Sequence, residues 1–292
     1  MNNLAPISII IPVFNEVNTV FQTINDIYAF IVKEGLTSEI IVVNDGSTDG
    51  SREILEKIQN ITLLNHHINR GYSTSLKTGI SKAKYDWILT IDGDGSHLAS
   101  QISKLIPFID EYDLIVGART GKDAHDTTSR KFGRKIITKF AQYISNAKIE
   151  DINSGFRLFK KEIAQKFWHL FPEGFSFSTT LTVASHVRHY AVKYAPVEVH
   201  KRKGGNSTIK PAKDFIGFLN LVTRLAIYFK PLKVFVPLSI LSIGSAMAVV
   251  FIDYFITGEV LDTTFAILVT AGIQMLVFGL IAEMIVKRFY ND

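Results

Sequence analysis

The sequence contains no cysteine, which removes disulfide frameworks, zinc–thiolate sites and cysteine nucleophiles at once. It also lacks a basic stretch ahead of its first apolar run. MNNLAPISIIIP is short and uncharged at that point, so it reads as an opening β-strand rather than a signal peptide. No recognised nucleic-acid motif is present, and a formal net charge of +5 with a pI near 9.2 is a modest basic excess. Much of that excess lies beside apolar segments, which suits phosphates or a lipid surface better than nucleic acid.

Hydrocarbon, by contrast, is plentiful. Hydrophobic residues make up 47% of the chain and mean hydropathy is +0.19 although 20% of residues are charged, so the apolar excess must be localised. It lies in the tail: Val234–Ile256 and Phe265–Val286 are each long enough to cross a hydrocarbon core of roughly 30 Å, with Asp253 and Glu283 near segment ends. Their connection, TGEVLDT, has no Lys or Arg, whereas Lys230 and Lys233 precede the first segment and Lys287 and Arg288 follow the second. The positive-inside rule predicts an integral cell-membrane protein with its body and both tail ends in the cytoplasm. Ahead of the spans, PAKDFIGFLNLVTRLAIYFKPLK has apolar residues at helical spacing with Lys213, Arg224 and Lys230 among them. That is the pattern of a helix lying in the membrane interface, with a core helix of the body as the competing reading. Three parts are expected: a body over 1–210, an interfacial region over 211–233 and a hairpin over 234–292. Gly244, Ser245, Ala246 and Ala248 offer a small-residue face through which copies can associate.

The first part alternates apolar β-branched runs (ISIIIPVF, EIIVVN, ITLLN, DWILTI, DLIVGA) with helical patterns. Continuous apolar strands separated by amphipathic helices predict an α/β fold with a mostly parallel sheet covered on both faces. Ligands bind such sheets beyond the carboxyl ends of the strands. Three polar turns, PVFNE, NDGSTDG and DGDGSH, follow the first, second and fourth runs and should open onto one crevice.

In TIDGDGSH, Asp92 and Asp94 repel each other unless a cation lies between them. Alternate residues of an extended chain point the same way, so the two carboxylates converge if strand conformation persists that far. With diphosphate oxygens they form a hard, oxygen-rich site suited to Mg²⁺ or Mn²⁺. An EF-hand calcium loop is excluded, because its twelfth position is Ser103 and a strand precedes it. Asp45 is placed to accept hydrogen bonds from a base or ribose, Asp49 to cap the following helix, and Glu16 to do either. Phe14 suits the core or the face of a base.

PVFNE, VVNDGSTDG and TIDGDGSH, in this order and setting, resemble the GT-A (Rossmann-like) fold of family 2 inverting glycosyltransferases. GAR ending at Arg119, DINSGFRLF over 151–159, RKGGNS over 202–207 and IQMLVFGLIAEMIVKR in the last span resemble the polyprenyl-phosphate sugar transferases. That group contains dolichol-phosphate mannose synthase and bacterial enzymes with a two-span tail. The resemblance implies transfer of a sugar from a UDP- or GDP-linked donor to undecaprenyl or dolichyl phosphate, with Mg²⁺ or Mn²⁺ as cofactor. It implies that Pro12, Phe14, Glu16 and Asp45 hold the nucleoside, and that Asp92 and Asp94 bind metal and diphosphate. It further implies that Arg202 contacts the donor diphosphate and that Arg119 and Arg130 receive the lipid phosphate. The chain departs from the family pattern at Asn44, where an Asp is frequent, at Ser96, where a Gln is common, and at FSFSTTLT, where many members are acidic.

A phosphate acceptor also follows from chemistry. A sugar hydroxyl needs a general base, whereas a phosphate monoester with a second pKa of about 6 is already largely ionised at neutral pH. Such an enzyme needs cations, and Arg119, Lys122, Arg130, Lys131, Arg134, Lys135 and Lys139 crowd one segment. Alternatives are a hydroxyl acceptor or a non-catalytic nucleotide-sugar sensor; the Q-x-x-R-W motif of processive synthases is missing. His186 and His189 share a helical face without an acidic third ligand nearby, and His97 is read as orienting the metal turn rather than as catalytic.

Overall fold

The computed structural model describes residues 5–119, 128–172, 176–199, 211–256 and 262–291. The chain divides into two compact units, Met1–Phe218 and Leu219–Asp292.

The first unit is built on a seven-stranded sheet. Its strands are β1 (Ile7–Val13), β2 (Ser38–Asn44), β3 (Thr62–Asn65), β4 (Trp87–Thr90), β5 (Leu114–Arg119), β6 (Arg157–Lys160) and β7 (Val192–Val197), in the order β3-β2-β1-β4-β6-β5-β7. The five apolar runs read from the sequence all form strands. Every residue of β1 is buried, as a central strand covered on both faces requires. β6 and β7 had no such signal: β6 is four residues long and carries an arginine, and it runs antiparallel to both β4 and β5 in an otherwise parallel sheet. Pro12 is tolerated inside β1 because the Ile10 carbonyl, on the same strand edge, faces β4, and β4 has already ended at Thr90.

Between the strands lie α1 (Val20–Glu34), α2 (Ser51–Leu55) and α3 (Tyr72–Lys82). α1 buries Val20, Thr23, Ile24 and Ile27, three to four residues apart, and stops at Gly35. There φ is 63° and the N–H of Leu36 returns to the Ile31 carbonyl, closing the helix end. α2 is only five residues long, shorter than the DGSREILEKIQN pattern. α3 approaches the sheet through Gly79, where a Cβ would stand 2.5 Å from Ile10 Cγ2. Further on come α4 (Thr128–Ser145), α5 (Lys161–Lys166), α6 (Phe177–Val187) and α7 (Pro211–Phe229), which runs across the division between the units.

The second unit contains a hairpin of α8 (Leu232–Ile256) and α9 (Asp262–Asn291). The stretches Leu232–Ile256 and Thr263–Arg288 have hydropathies of 2.2 and 2.3 and are only 11% buried at their most apolar. Twenty-five residues at 1.5 Å each reach about 37 Å, enough to cross a bilayer core. The helices meet through small residues. Ser239 Oγ and Ser242 Oγ donate to the carbonyls of Gly272 and Leu268, both at 2.7 Å, and a Cβ at Gly272 would stand 2.6 Å from Ile243. Of the small residues read as an association face, Ala246 is buried within the unit while Gly244 opens onto empty space.

Candidate active site

The three polar turns leave the carboxyl ends of neighbouring strands, β2, β1 and β4, and hydrogen bonds join them. Asn15 N donates to Ser47 Oγ (3.1 Å), Thr48 N to Asn15 Oδ1 (2.8 Å) and Val17 N to Asp49 Oδ2 (3.0 Å). Thr19 Oγ1 donates to the Gly93 carbonyl at 3.2 Å, linking the first turn to the aspartate turn. Asp49 also accepts from Ser51 N at the head of α2, from one residue ahead of the N-cap, Gly50.

Asp45 is 3% exposed. Its Oδ1 faces His66 Nδ1 at 2.6 Å and accepts from Arg70 N at 2.9 Å, and its Oδ2 accepts from Gly71 N at 2.8 Å. The carboxylate thus pins the chain between β3 and α3, and Oδ2, with one bond, keeps acceptor capacity for a nucleoside. His66 Nε2 in turn lies 3.0 Å from Thr78 Oγ1. Asn44 donates to Asn65 Oδ1 and accepts from Ser47 N, so its amide does two jobs that an aspartate could not both do. Glu16 is buried beside Thr19, whose Oγ1 lies 3.2 Å from Glu16 Oε2 as well, and the main-chain N–H of Glu16 donates to Ser51 Oγ. Pro12 is buried in β1, while Phe14, 36% exposed at the strand end, presents an open aromatic face.

Asp92 and Asp94 lie in the turn that follows β4, beyond the strand itself. β4 ends at Thr90 and the chain turns through Gly93 to Gly95, where φ is 70°. Both carboxylates are half-buried and both lie close enough to the Tyr72 phenol to raise its pKa. Tyr72 Oη donates to Asp92 Oδ1 at 2.9 Å, and Asp94 Oδ1 accepts from Ser96 N at 3.0 Å. Burial first, and Asp92 second, push the Tyr72 hydroxyl well above its ordinary value, so it stays a donor. Among the described residues no group of three or more His, Cys, Asp or Glu could enclose a metal ion. Two carboxylates completed by substrate oxygens fit Mg²⁺ or Mn²⁺, which is commonly held through one or two carboxylates plus phosphate.

Arg119, at the end of β5, makes a bidentate pair with Asp151: Nε to Oδ2 at 2.7 Å and Nη2 to Oδ1 at 2.8 Å. Burial raises the Asp151 pKa, but the Arg119 hydrogen bond and charge, with backbone N–H groups, outweigh it and leave the carboxyl below its usual range. The Arg119 charge is thus balanced by Asp151 at the end of β5. Arg130 lies on α4 with its side chain outside the described residues, as does Arg134; Arg202 lies outside them altogether.

Sequence reasoning passed over Arg157, His66 and Tyr72. Arg157 is fully buried, donating from Nε to the Ser154 carbonyl, from Nη2 to the Ile152 carbonyl and from Nη1 to Thr182 Oγ1. Burial lowers its pKa to about 10. Its sequence signal was an arginine between apolar residues within the DINSGFRLF motif, to which no role was given. In α6, Ser178, Thr179, Thr180 and Thr182 of the FSFSTTLT stretch are buried, and Thr179 donates to Asn153. His97 is 6% exposed and stacks on Phe156 with ring centroids 4.9 Å apart. Burial outweighs the nearby Asp94 and lowers its pKa to about 4, leaving it neutral. His186 contacts the Tyr194 hydroxyl and His189 ends its helix at φ 58°, so the two do not form a ligand pair.

Residues 8–168, more than half of the 292, match the model of glycosyl transferase family 2. The chain belongs to that family. Residues 230–287 match a second model, the GtrB C-terminal hairpin. The glycosyltransferase AglJ of Haloferax volcanii is 26% identical over 292 residues, covering 96% of this chain and 94% of the relative. The undecaprenyl-phosphate 4-deoxy-4-formamido-L-arabinose transferase of Edwardsiella ictaluri is 26% identical over 302 residues, covering 98% and 90%. Among solved structures, glucosyl-3-phosphoglycerate synthase from Mycobacterium tuberculosis with Mn²⁺, UDP and glucosyl-3-phosphoglycerate superposes with a TM-score of 0.55 at 16% identity, covering 78% and 80%. That likeness establishes the GT-A fold of this family 2 glycosyltransferase, and the three joined turns occupy the strand ends where such a sheet takes its ligand.

Proposed function

We propose that this family 2 enzyme is a membrane-tethered inverting glycosyltransferase that moves a sugar from a nucleotide diphosphate sugar to polyprenyl phosphate. The observation that carries this reading is the presence, in one chain, of Asp92 and Asp94 in the turn after β4, with Asp92 held by the Tyr72 hydroxyl, and of a GtrB-type hairpin of two apolar helices. The acceptor class is supported by the Edwardsiella relative, whose name specifies undecaprenyl phosphate.

In the reaction an acceptor phosphate oxygen attacks the anomeric carbon from the face opposite the leaving group. The carbon–oxygen bond to the donor breaks, and polyprenyl monophosphate sugar and a nucleotide diphosphate result. No general base is required, because the attacking oxygen is already ionised. Asp92 and Asp94 would hold a divalent cation, Mg²⁺ or Mn²⁺, which would supply positive charge against the departing diphosphate. Pro12, Phe14, Glu16 and Asp45 would hold the nucleoside, with Phe14 along the base and Asp45 Oδ2 accepting from it. Arg202 meets the donor diphosphate, and Arg119 and Arg130 meet the acceptor phosphate. The body, 1–210, lies in the cytoplasm, the region 211–233 in the membrane interface and the hairpin 234–292 across the bilayer.

The test is transfer of label from a panel of UDP- and GDP-sugars to polyprenyl phosphate by detergent-purified protein with Mn²⁺ or Mg²⁺, beside Asp94→Asn. A labelled lipid that forms only with metal and is lost in the variant is the expected result. Transfer to a hydroxyl acceptor alone, or binding of donor without turnover, would overturn the proposal.

A further inference from the structure

Tyr72 opens α3, across the site from the turn that carries Asp92. Its hydroxyl donates to Asp92 Oδ1 at 2.9 Å. Gly155, from the segment between α4 and β6, closes over the same pair. A Cβ built on Gly155 would stand 2.7 Å from the Tyr72 hydroxyl and 2.9 Å from each of the two Asp92 carboxylate oxygens. No side chain fits there without moving the carboxylate or the phenol. The glycine is itself held in place, since Thr90 Oγ1 donates to its carbonyl at 2.6 Å and the buried Arg157 grips the flanking carbonyls of Ser154 and Ile152.

Asp92 needs such a slot. It follows the end of β4 and is succeeded by Gly93 in a turn, and the carboxylate torsion of an aspartate is intrinsically broad. Among the described residues no third His, Cys, Asp or Glu joins the cluster, so the cation depends on the direction of two carboxylates. A lysine or arginine could orient Asp92 but would also neutralise the charge that attracts the cation. A phenol orients it by one hydrogen bond and adds no charge. Groups that aim metal ligands in this way typically contribute roughly 10- to 100-fold in metal affinity.

We propose that Tyr72 and Gly155 form a positioning slot that sets the rotation of the Asp92 carboxylate toward the divalent cation. The inference rests on the reading of Asp92 as a cation ligand. The slot makes metal affinity, rather than folding, the property that depends on the Tyr72 hydroxyl and on the bare Cα at 155.

The experiment measures Mn²⁺ binding to the detergent-purified full chain from the resonance signal of free Mn²⁺, together with the thermal midpoint and the Mn²⁺ dependence of sugar transfer. Tyr72→Phe, Gly155→Ala and Asp92→Asn are compared with the unsubstituted protein. Tyr72→Phe is expected to weaken Mn²⁺ binding about 10-fold with little change in midpoint, and its transfer activity should return at high Mn²⁺. Gly155→Ala should weaken binding at least as much. A lowered midpoint with activity lost equally at all Mn²⁺ concentrations would mark a merely structural role and overturn the slot. Asp92→Asn separates the two claims. If it binds Mn²⁺ as the unsubstituted protein does, the ligand reading itself falls; if it loses binding while Tyr72→Phe keeps full affinity, only the slot is lost. Tyr72→Phe removes a single oxygen, so the test stands even if Gly155→Ala does not fold.

Discussion

Arg119 and Asp151 meet through both arms of the guanidinium, at 2.7 and 2.8 Å, and the same carboxylate accepts the N–H groups of Asn153 and Ser154. One ion pair therefore fixes both the end of β5 and the start of the segment that reaches Gly155. Charge-assisted hydrogen bonds contribute about 1.5–3 kcal/mol each, so Arg119→Ala should lower kcat/KM for polyprenyl phosphate by about 10²-fold. Asp151→Asn, which loosens the fork but keeps the cation, should cost about 10-fold. Steady-state kinetics with each substrate varied check this; an unchanged lipid KM in Arg119→Ala would remove Arg119 from the acceptor site.

Asp45 relies on His66, which bridges it to Thr78. His66→Ala leaves both partners short of a hydrogen bond in a buried place, a loss of about 1–3 kcal/mol, and should raise the KM for nucleotide sugar roughly 10-fold. His66→Gln should recover part of it. The nearby Gly46 sits at φ 69°, and a Cβ there would stand 2.5 Å from the Ile68 backbone. Gly46→Ala should cost more than about 2 kcal/mol and distort the same loop, which a thermal melt reports.

His97 makes stability depend on pH. Its folded pKa of about 4 lies below the unfolded value near 6.5, so the unfolded chain binds the extra proton between those values. The contribution is fully present above pH 6.5 and is lost as pH falls toward 4, by on the order of 3 kcal/mol. Melting midpoints of the detergent-purified protein should therefore fall between pH 7 and pH 4.5, and fall less in His97→Leu. Equal slopes in the two proteins would show that His97 is not the group responsible.

Because the chain has no cysteine, a single introduced thiol reports its own side of the membrane. Glu259→Cys, in the connection between the spans, should react with an impermeant maleimide in intact cells. Lys33→Cys, exposed on α1, should react only after permeabilisation. The reverse pattern would overturn the proposed orientation.

The first five strands, the helices α1 to α3 and the two spanning segments were legible in the chain because their signals are local. β-branched runs, apolar residues three to four apart and long apolar stretches are set by neighbours within one element. The three polar turns were legible for the same reason, since each follows a strand run directly. β6 was not, because four residues with a buried arginine match no period; that arginine is stable there only because Ser154, Ile152 and Thr182 from other elements surround it.

The sequence by itself determined the fold class, the polar turn after β4 that carries Asp92 and Asp94, and the two-helix tail. Tertiary structure alone decided what each charged group faces. Arg119 finds Asp151 from 32 residues away, Asp45 finds His66 from 21, and Asp92 finds Tyr72 from 20. Such partners come together only when the sheet sets its strands side by side, and hydrogen bonds, effective only near 3 Å, leave no periodic trace in the sequence.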